Sequence, residues 1–247
     1  DAPQSDEAPP VFYRPEREAQ VLRAIQERNT GPLASEHVAS VFRELMSSCL
    51  ALEQPLSVAF LGPEGTYSQA AALKHFGQSA LPQGQASIHK VFRQVEERLC
   101  DYGVVPVENS TEGMVGQTLD CFLESPLQIT GEIELPVVHH LLAGRGAEQS
   151  DIQLILGHEQ ALGQCRQWLD GHLPNGPREA VASNGEAARR AGVEAGVAAI
   201  AGELAAGLHQ LDTLASAIQD SSTNTTRFLV LGKESVPPSG HDKTSLL

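Results

Sequence analysis

Three short segments of the chain gather side chains suited to anion binding and proton transfer. Leu61-Gly62-Pro63-Glu64-Gly65-Thr66-Tyr67-Ser68 lies between an apolar strand-like run and an apolar helical run. Glycines let the backbone turn tightly there, and the first N–H groups of the helix point outward, where an anion can sit. The same pattern also fits an ordinary strand-to-helix turn with Thr66 as N-cap. Val107-Glu108-Asn109-Ser110-Thr111-Glu112-Gly113 follows a second apolar run and packs two carboxylates, an amide and two hydroxyls into five positions. Such groups at the carboxyl end of a strand line the ligand crevice of open α/β sheets; the competing reading is a polar turn that caps the next helix. The third segment, residues 220–228, is a hydroxyl-rich loop from Ser221 to Thr226, with Asn224 inside it. It ends in Arg227 and leads into the apolar Phe228-Leu229-Val230-Leu231. An Arg beside a buried strand meets a carboxylate, either a structural partner or a substrate.

Other chemistry is not signalled. His139 and His140 are adjacent in an extended run and so point to opposite faces, which keeps them from sharing one metal ion. His158, Gln160 and Gln164 fall after another strand, and the two glutamines share a helix face. There is no Walker loop, nucleophile elbow, zincin motif or dinucleotide fingerprint in a suitable context. Asn109-Ser110-Thr111 and Asn224-Thr225-Thr226 match the glycosylation sequon by chance, since no export signal precedes them. No metal and no cofactor are expected.

The chain that must position these segments has 247 residues, enough for one large domain or two lobes with appendages. Seventeen Lys and Arg against 31 Asp and Glu give a net charge of −14, a field that repels nucleic acid and anionic membranes. Cys49, Cys100, Cys121 and Cys165 are far apart, with no C-x-x-C, and each falls in an apolar helical pattern, as buried thiols in a reducing compartment would. No run approaches the ~20 apolar residues of a spanning helix, so a soluble, unexported, cytoplasmic protein is expected.

Residues 1–10, acidic and Pro-rich, read as a disordered lead-in. Pro15 opens a helix that Gly31-Pro32 ends, and a second starts at Ser35 with Val38, Val41, Phe42, Leu45, Cys49 and Leu52 on one stripe. This hairpin must dock on the rest, dimerise or belong to a larger helical unit. After Pro55 short apolar runs alternate with helical ones: 57–61, 104–107, 127–133, 137–143, 152–156, 179–182, 198–201, 214–218 and 228–231 are the extended runs, and 160–169 is one of the helices between them. That rhythm predicts a largely parallel sheet with helices on both faces. Two extended runs meet at Pro136 with no helix between them, as where a strand passes between two lobes; a cleft should lie there. Residues 235–240 read as a linker, and 243–247 as the opening of a further strand.

Taken together and in order, Gly62-Pro63-Glu64-Gly65-Thr66-Tyr67-Ser68, Val105-Pro106-Val107-Glu108-Asn109-Ser110-Thr111-Glu112-Gly113, Ser183-Asn184 before an Ala-rich helix, and Asn224-Thr225-Thr226-Arg227-Phe228 resemble the prephenate dehydratase family over residues 56–232. Residues 12–54 look like the last two helices of a chorismate mutase domain, and 242–247 like the start of an ACT regulatory domain. The resemblance implies an α/β, two-lobed, periplasmic-binding-protein-like (type II) fold, preceded by a two-helix remnant of the all-α mutase. Its implied domains are 1–54, 55–234 (lobes 55–135 with a return segment, and 136–212) and 235–247.

The implied reaction is loss of water and carbon dioxide from prephenate to give phenylpyruvate, toward phenylalanine, without a cofactor. In family terms Thr226 sits at the leaving hydroxyl, and Arg227 holds a carboxylate of the substrate or pairs with Glu108. Asn109, Ser110 and Thr111 orient the substrate with Asn224 and Phe228, Thr66 cradles the side-chain carboxylate, and Gln164, Ser183 and Asn184 close the cleft from the other lobe. A homodimer or larger homo-oligomer is expected of the full-length protein. Neither mutase activity nor feedback inhibition by phenylalanine is expected of this stretch. The family usually has Ser-His-Pro-Gln where this chain has Gly157-His158-Glu159-Gln160, so Glu159 is expected to weaken the hold on a dianion. Two other readings remain open: a two-lobed small-molecule sensor without catalysis, and an arogenate dehydratase.

Overall fold

The computed structural model describes residues 13–237 and Lys243. The expected lead-in 1–10, most of the linker's Pro-Ser-Gly end and the run 244–247 lie outside the described residues. The chain opens with a helical hairpin, α1 (Pro15–Arg28) and α2 (Ser35–Glu53). Then come β1 (Ser57–Leu61), α3 (Tyr67–Phe76), β2 (Leu81–Gln85), α4 (Ile88–Glu96), β3 (Tyr102–Asn109), β4 (Gly113–Met114), α5 (Gly116–Glu124) and β5 (Gln128–Pro136). The chain next crosses to a second sheet through β6 (His140–Ala143), β7 (Leu154–Gly157), α6 (Glu159–Gln164), α7 (Arg166–His172), β8 (Arg178–Ala180), α8 (Asn184–Ala191), β9 (Val197–Ala201), α9 (Glu203–His209) and β10 (Asp212–Ala215). It returns as β11 (Thr225–Gly232), which inserts between β3 and β5 of the first sheet.

The first sheet has the order β2-β1-β3-β11-β5 with β4 on β3, and the second β10-β6-β9-β7-β8. Both are mixed, which corrects the largely parallel sheet expected from the rhythm. Strands β1, β2 and β3 run parallel, but β11 pairs antiparallel with both neighbours. In the second sheet β6 runs against β9 and β10. The cause is the double crossing: a strand that enters a sheet from the other lobe arrives without a covering helix and need not keep the right-handed parallel geometry of a βαβ unit.

Alternation along the strands divides the first lobe's core in two. Val58, Phe60, Val104, Phe228 and Val230 face α3 with Ala71, Ala72 and Phe76, while Ala59, Val105, Leu229 and Leu231 face α4 and α5. In the second lobe the five residues of β9 are all buried, and the Ala-rich face of α8 (Ala187, Ala188, Ala191) lets that helix lie close against Ala199 and Ala201. The helical hairpin docks on the first lobe. Tyr13 packs on Phe76 and Tyr102 with ring centroids 5.8 and 5.3 Å away, and Glu44 of α2 accepts from the Gln78 N–H. The stripe read along α2 faces away from this contact, leaving Val41, Phe42, Leu45 and Leu52 exposed.

Local expectations failed in three places. The helix expected over 160–169 breaks at Cys165 into α6 and α7. Helices α4 and α9 were not foreseen. Cys49 is exposed, and the buried Cys100 lies in the turn after α4 rather than in a helix.

Phe228 is 1% exposed between α3 and the sheet. Truncation to Ala should cost about 3–5 kcal/mol by the cavity it leaves, read as a lower urea midpoint with an unchanged m-value.

Candidate active site

The two sheets face each other across a cleft of about 950 Å³. Its first-lobe wall is the loop after β1, the start of α3, and Asn109 and Thr226 from the paired ends of β3 and β11. Its second-lobe wall is His158, Gln160 and Gln164 of the α6 region with Ser183 and Asn184 at the start of α8. Val137, His139 and Asn224 from the two crossing segments form its floor.

A chain of side-chain hydrogen bonds runs along this floor. Asn109 Oδ1 accepts from the backbone N–H groups of Thr111 (3.0 Å) and Glu112 (3.1 Å). Its Nδ2 therefore donates to Asn224 Oδ1 (2.9 Å) and Thr226 Oγ1 (2.8 Å). Asn224 Nδ2 donates to Gln164 Oε1 at 3.0 Å, and His139 Nε2 lies 2.9 Å from the same oxygen. His139 Nδ1 is 2.9 Å from the Tyr67 hydroxyl, which is 2.7 Å from the Val138 carbonyl. Burial pushes the Tyr67 phenol well above its ordinary value and holds the His139 imidazole below its own.

Helix starts set the electrostatics. Thr66 precedes α3, but its hydroxyl donates back to the carbonyls of Leu61 (3.2 Å) and Pro63 (3.0 Å) instead of capping the helix, so the first-turn N–H groups face the cleft without a side-chain cap. Ser183 caps α8 by accepting from the Glu186 N–H, and Asn184 Oδ1 accepts from the His158 N–H at 2.9 Å, tying the α6 loop to α8. Among the described residues no Lys or Arg lines the cleft, and its single carboxylate, Glu186, is paired with Arg189 at 2.8 Å.

The cleft thus gathers Thr66, Asn109, Gln164, Ser183, Asn224, Asn184 and Thr226 of the residues named from the sequence. It does not gather the others. Arg227 and Glu108 are register partners one residue along from Thr226 and Asn109, so they point to the opposite face of the sheet. There Arg227 pairs with Glu108 and, at 2.9 Å, with Glu132. Of the two roles expected for Arg227, pairing with Glu108 is the one seen, and the alternation corrects the expectation that either side chain acts in the cleft. Phe228 shares the face of Thr226 but lies beneath α3 in the core. Ser110 latches β3 to the return segment, its hydroxyl accepting from the Thr225 N–H at 3.0 Å, and Thr111 contributes its backbone N–H to Asn109. Glu159 is exposed and outside the lining, so it does not oppose an anion in the cleft. Tyr67 and His139 were missed as cleft residues. The motif position of Tyr67 and the place of His139, three residues after the crossing proline, were the available signals.

The sequence profile of the prephenate dehydratase family matches residues 58–236, and that of chorismate mutase type II matches residues 4–54. The chain belongs to the prephenate dehydratase family. It is 57% identical to the bifunctional chorismate mutase/prephenate dehydratase of Stutzerimonas stutzeri over 99% of this chain and 67% of that protein. It is 56% identical to the protein of the same name from Pseudomonas aeruginosa, over 96% of this chain and 65% of that one. The chain thus spans about two thirds of the length of these relatives. Among solved structures, a prephenate dehydratase from Arthrobacter aurescens in complex with L-Phe matches with a TM-score of 0.69 and 32% identity, over 76% of this chain and 63% of that one.

In this member of the family the lobes touch where the loop after β1 meets α8. A Cβ added at Gly185 would overlap the Glu64 carbonyl, and one at Gly65, whose φ is +78°, would lie 3.2 Å from Ala205 Cβ. Gly185→Ala should therefore hold the lobes apart and lower kcat/KM by about tenfold or more with little change in the melting temperature, measured by steady-state kinetics beside a thermal melt.

Proposed function

We propose that this chain eliminates water and carbon dioxide from prephenate to give phenylpyruvate, using Thr226 at the departing hydroxyl. The C1–carboxylate bond breaks as carbon dioxide leaves, its electron pair closes the aromatic ring, and the C4–oxygen bond breaks. The departing oxygen needs a hydrogen bond or a proton to leave as water. The observation that carries this reading is the Asn109 amide hydrogen on Thr226 Oγ1: the hydroxyl accepts there and keeps its own proton for a ligand in the cleft.

Thr226 is too weak an acid to protonate hydroxide alone, so its role is to stabilise the leaving oxygen by a hydrogen bond while water supplies the proton. The uncapped first turn of α3 holds one substrate carboxylate, and Gln164 and Ser183 bear on the substrate from the second lobe. Arg227 and Glu108 act behind the site: their pair fixes the β3–β11 register that sets Thr226 beside Asn109. The protein is proposed to work in the cytoplasm and to self-associate through the exposed face of α2, where Val41, Phe42, Leu45 and Leu52 lie.

Thr226→Ala should lower kcat for phenylpyruvate formation by about a hundredfold or more and leave KM within a few-fold, whereas Thr226→Ser should retain most of the rate. A sensor without catalysis would be indifferent to both changes. Comparing kcat/KM for prephenate and arogenate on the unaltered chain decides the substrate; tenfold or greater preference for arogenate would overturn the prephenate reading.

A further inference from the structure

The direction of every bond in the floor chain follows from one fixed end. The N–H groups of Thr111 and Glu112 can only donate, so Asn109 presents its carbonyl to them and its amide hydrogens to Asn224 and Thr226. Asn224 must then present its amide hydrogens to Gln164, whose Oε1 faces His139 Nε2. An oxygen on that side requires a hydrogen on Nε2. At the other nitrogen, Tyr67 has one proton and two neighbours, Val138 O and His139 Nδ1. With a neutral ring the phenol proton goes to Nδ1 and the Val138 carbonyl loses its side-chain donor. With a protonated ring Nδ1–H donates to the phenol oxygen, the phenol donates to Val138, and every partner is served. The charged form therefore gains one hydrogen bond that the neutral form cannot make, against the cost of burial.

The cleft adds the second half of the argument. A dianion would enter a lining without Lys or Arg, in a protein of net charge −14. Resting on the prephenate reading above, we propose that His139 takes up a proton as the dianion binds and becomes the cation of the cleft, a positioning residue acting on Thr226 through Gln164, Asn224 and Asn109. The proton comes from solvent and returns there when the product leaves.

The other groups around the ring leave this role to His139. Tyr67 on α3 and Cys165, pushed up to about 12 by burial, stay protonated. Asp220 accepts from the N–H groups of Gln167 and Trp168, Gln219 accepts from the His139 N–H, and Glu186 is engaged by Arg189. His140 lines the space on the other side of the crossing, where Glu203 faces it, and its charge acts to lower the His139 pKa. His158, across the cleft, is the one further imidazole in the lining.

The sign follows. If the imidazolium is required, kcat/KM is full below the pKa of His139 in the free protein and falls about tenfold per pH unit above it. Burial holds that pKa below the ordinary imidazole value, so the fall should begin on the acid side of that value and be under way by neutral pH, while kcat, read on the complex with a dianion beside the ring, should stay level to higher pH. Prephenate turnover by the chain is to be followed between about pH 5 and 9, where neither substrate carboxylate titrates, net of the uncatalysed reaction. His139→Gln keeps a donor toward Gln164 but cannot be protonated, and should be slower at low pH with the falling limb gone. Tyr67→Phe removes the acceptor of Nδ1–H and should move the limb to lower pH, whereas His158→Gln should keep it. Nitrogen-15 spectra of the histidine rings in the free protein should show neutral His139 as the Nε2–H tautomer. A limb unchanged in His139→Gln, a limb lost in His158→Gln, no displacement in Tyr67→Phe, or an Nδ1–H ring would each overturn the proposal. Absence of phenylpyruvate from the unaltered chain would instead overturn the functional reading on which it rests.

Discussion

Asn109 has no rotational choice. Two backbone N–H groups occupy its carbonyl oxygen, so its two amide hydrogens must go to Asn224 and Thr226, and the polarity of the whole cleft floor descends from that. A half-buried amide that turned over would face oxygen against oxygen and donor against donor at each successive link, and the buried Asn224 would lose its partner at about 1–3 kcal/mol. The arrangement holds only while the ends of β3 and β11 stay in register, since Asn109 and Thr226 are direct partners in that ladder. The pair of Arg227 with Glu108 sits on the next rung and the opposite face, and Glu132 joins it from β5. These charges are about a third exposed, so their contribution to stability is small, but they oppose a one-residue slip that would turn Thr226 away from the cleft.

The two crossings explain why the site lies where it does. Residues 136–139 and 216–224 pass between the lobes side by side, held by Val137 N–H on the Asn224 carbonyl (2.9 Å) and Ile218 N–H on the His139 carbonyl (2.8 Å). Backbone in such a passage must have its polar groups satisfied locally: the Gln219 side chain accepts from the His139 N–H, while the side chains of His139 and Asn224 turn to the cleft. The hinge and the binding surface are thus built from the same residues. Lobe closure cannot change without altering the hydrogen bonds around the ligand.

Much of this was legible in the sequence, and the failures have physical reasons. Strand runs with β-branched residues and the proline at 136 marked the lobes and the passage between them, because extended runs without an intervening helix have few other uses. The three polar segments were found since each stands at a strand end. Helix α4 carries Ile88, Val91, Phe92 and Val95 at helical spacing, a readable signal that its neighbouring short strand, Pro- and Gln-rich, obscured. The side-chain faces of residues 226–228 were not legible as assigned. Strand alternation alone would have separated Arg227 from Thr226, but burial beneath α3 was needed to remove Phe228 from the site. His139 escaped notice because a histidine beside another in a strand looks like a core residue until its partners from α3 and α6 are in place.

An acidic protein that takes a dianion without a lining Lys or Arg places its positive potential elsewhere. Helix α3 begins at this cleft without a side-chain cap, and its first-turn N–H groups are fixed dipoles that need no counter-ion and bring no long side chain into the space. A guanidinium would hold the substrate's carboxylates as tightly before the reaction as during it, and one of those carboxylates must leave as a neutral gas. Neutral donors bind the anion less deeply in the ground state than a guanidinium would. In an elimination that converts a dianion to a monoanion, a weaker fixed cationic field favours departure of the charge, which is the direction catalysis requires.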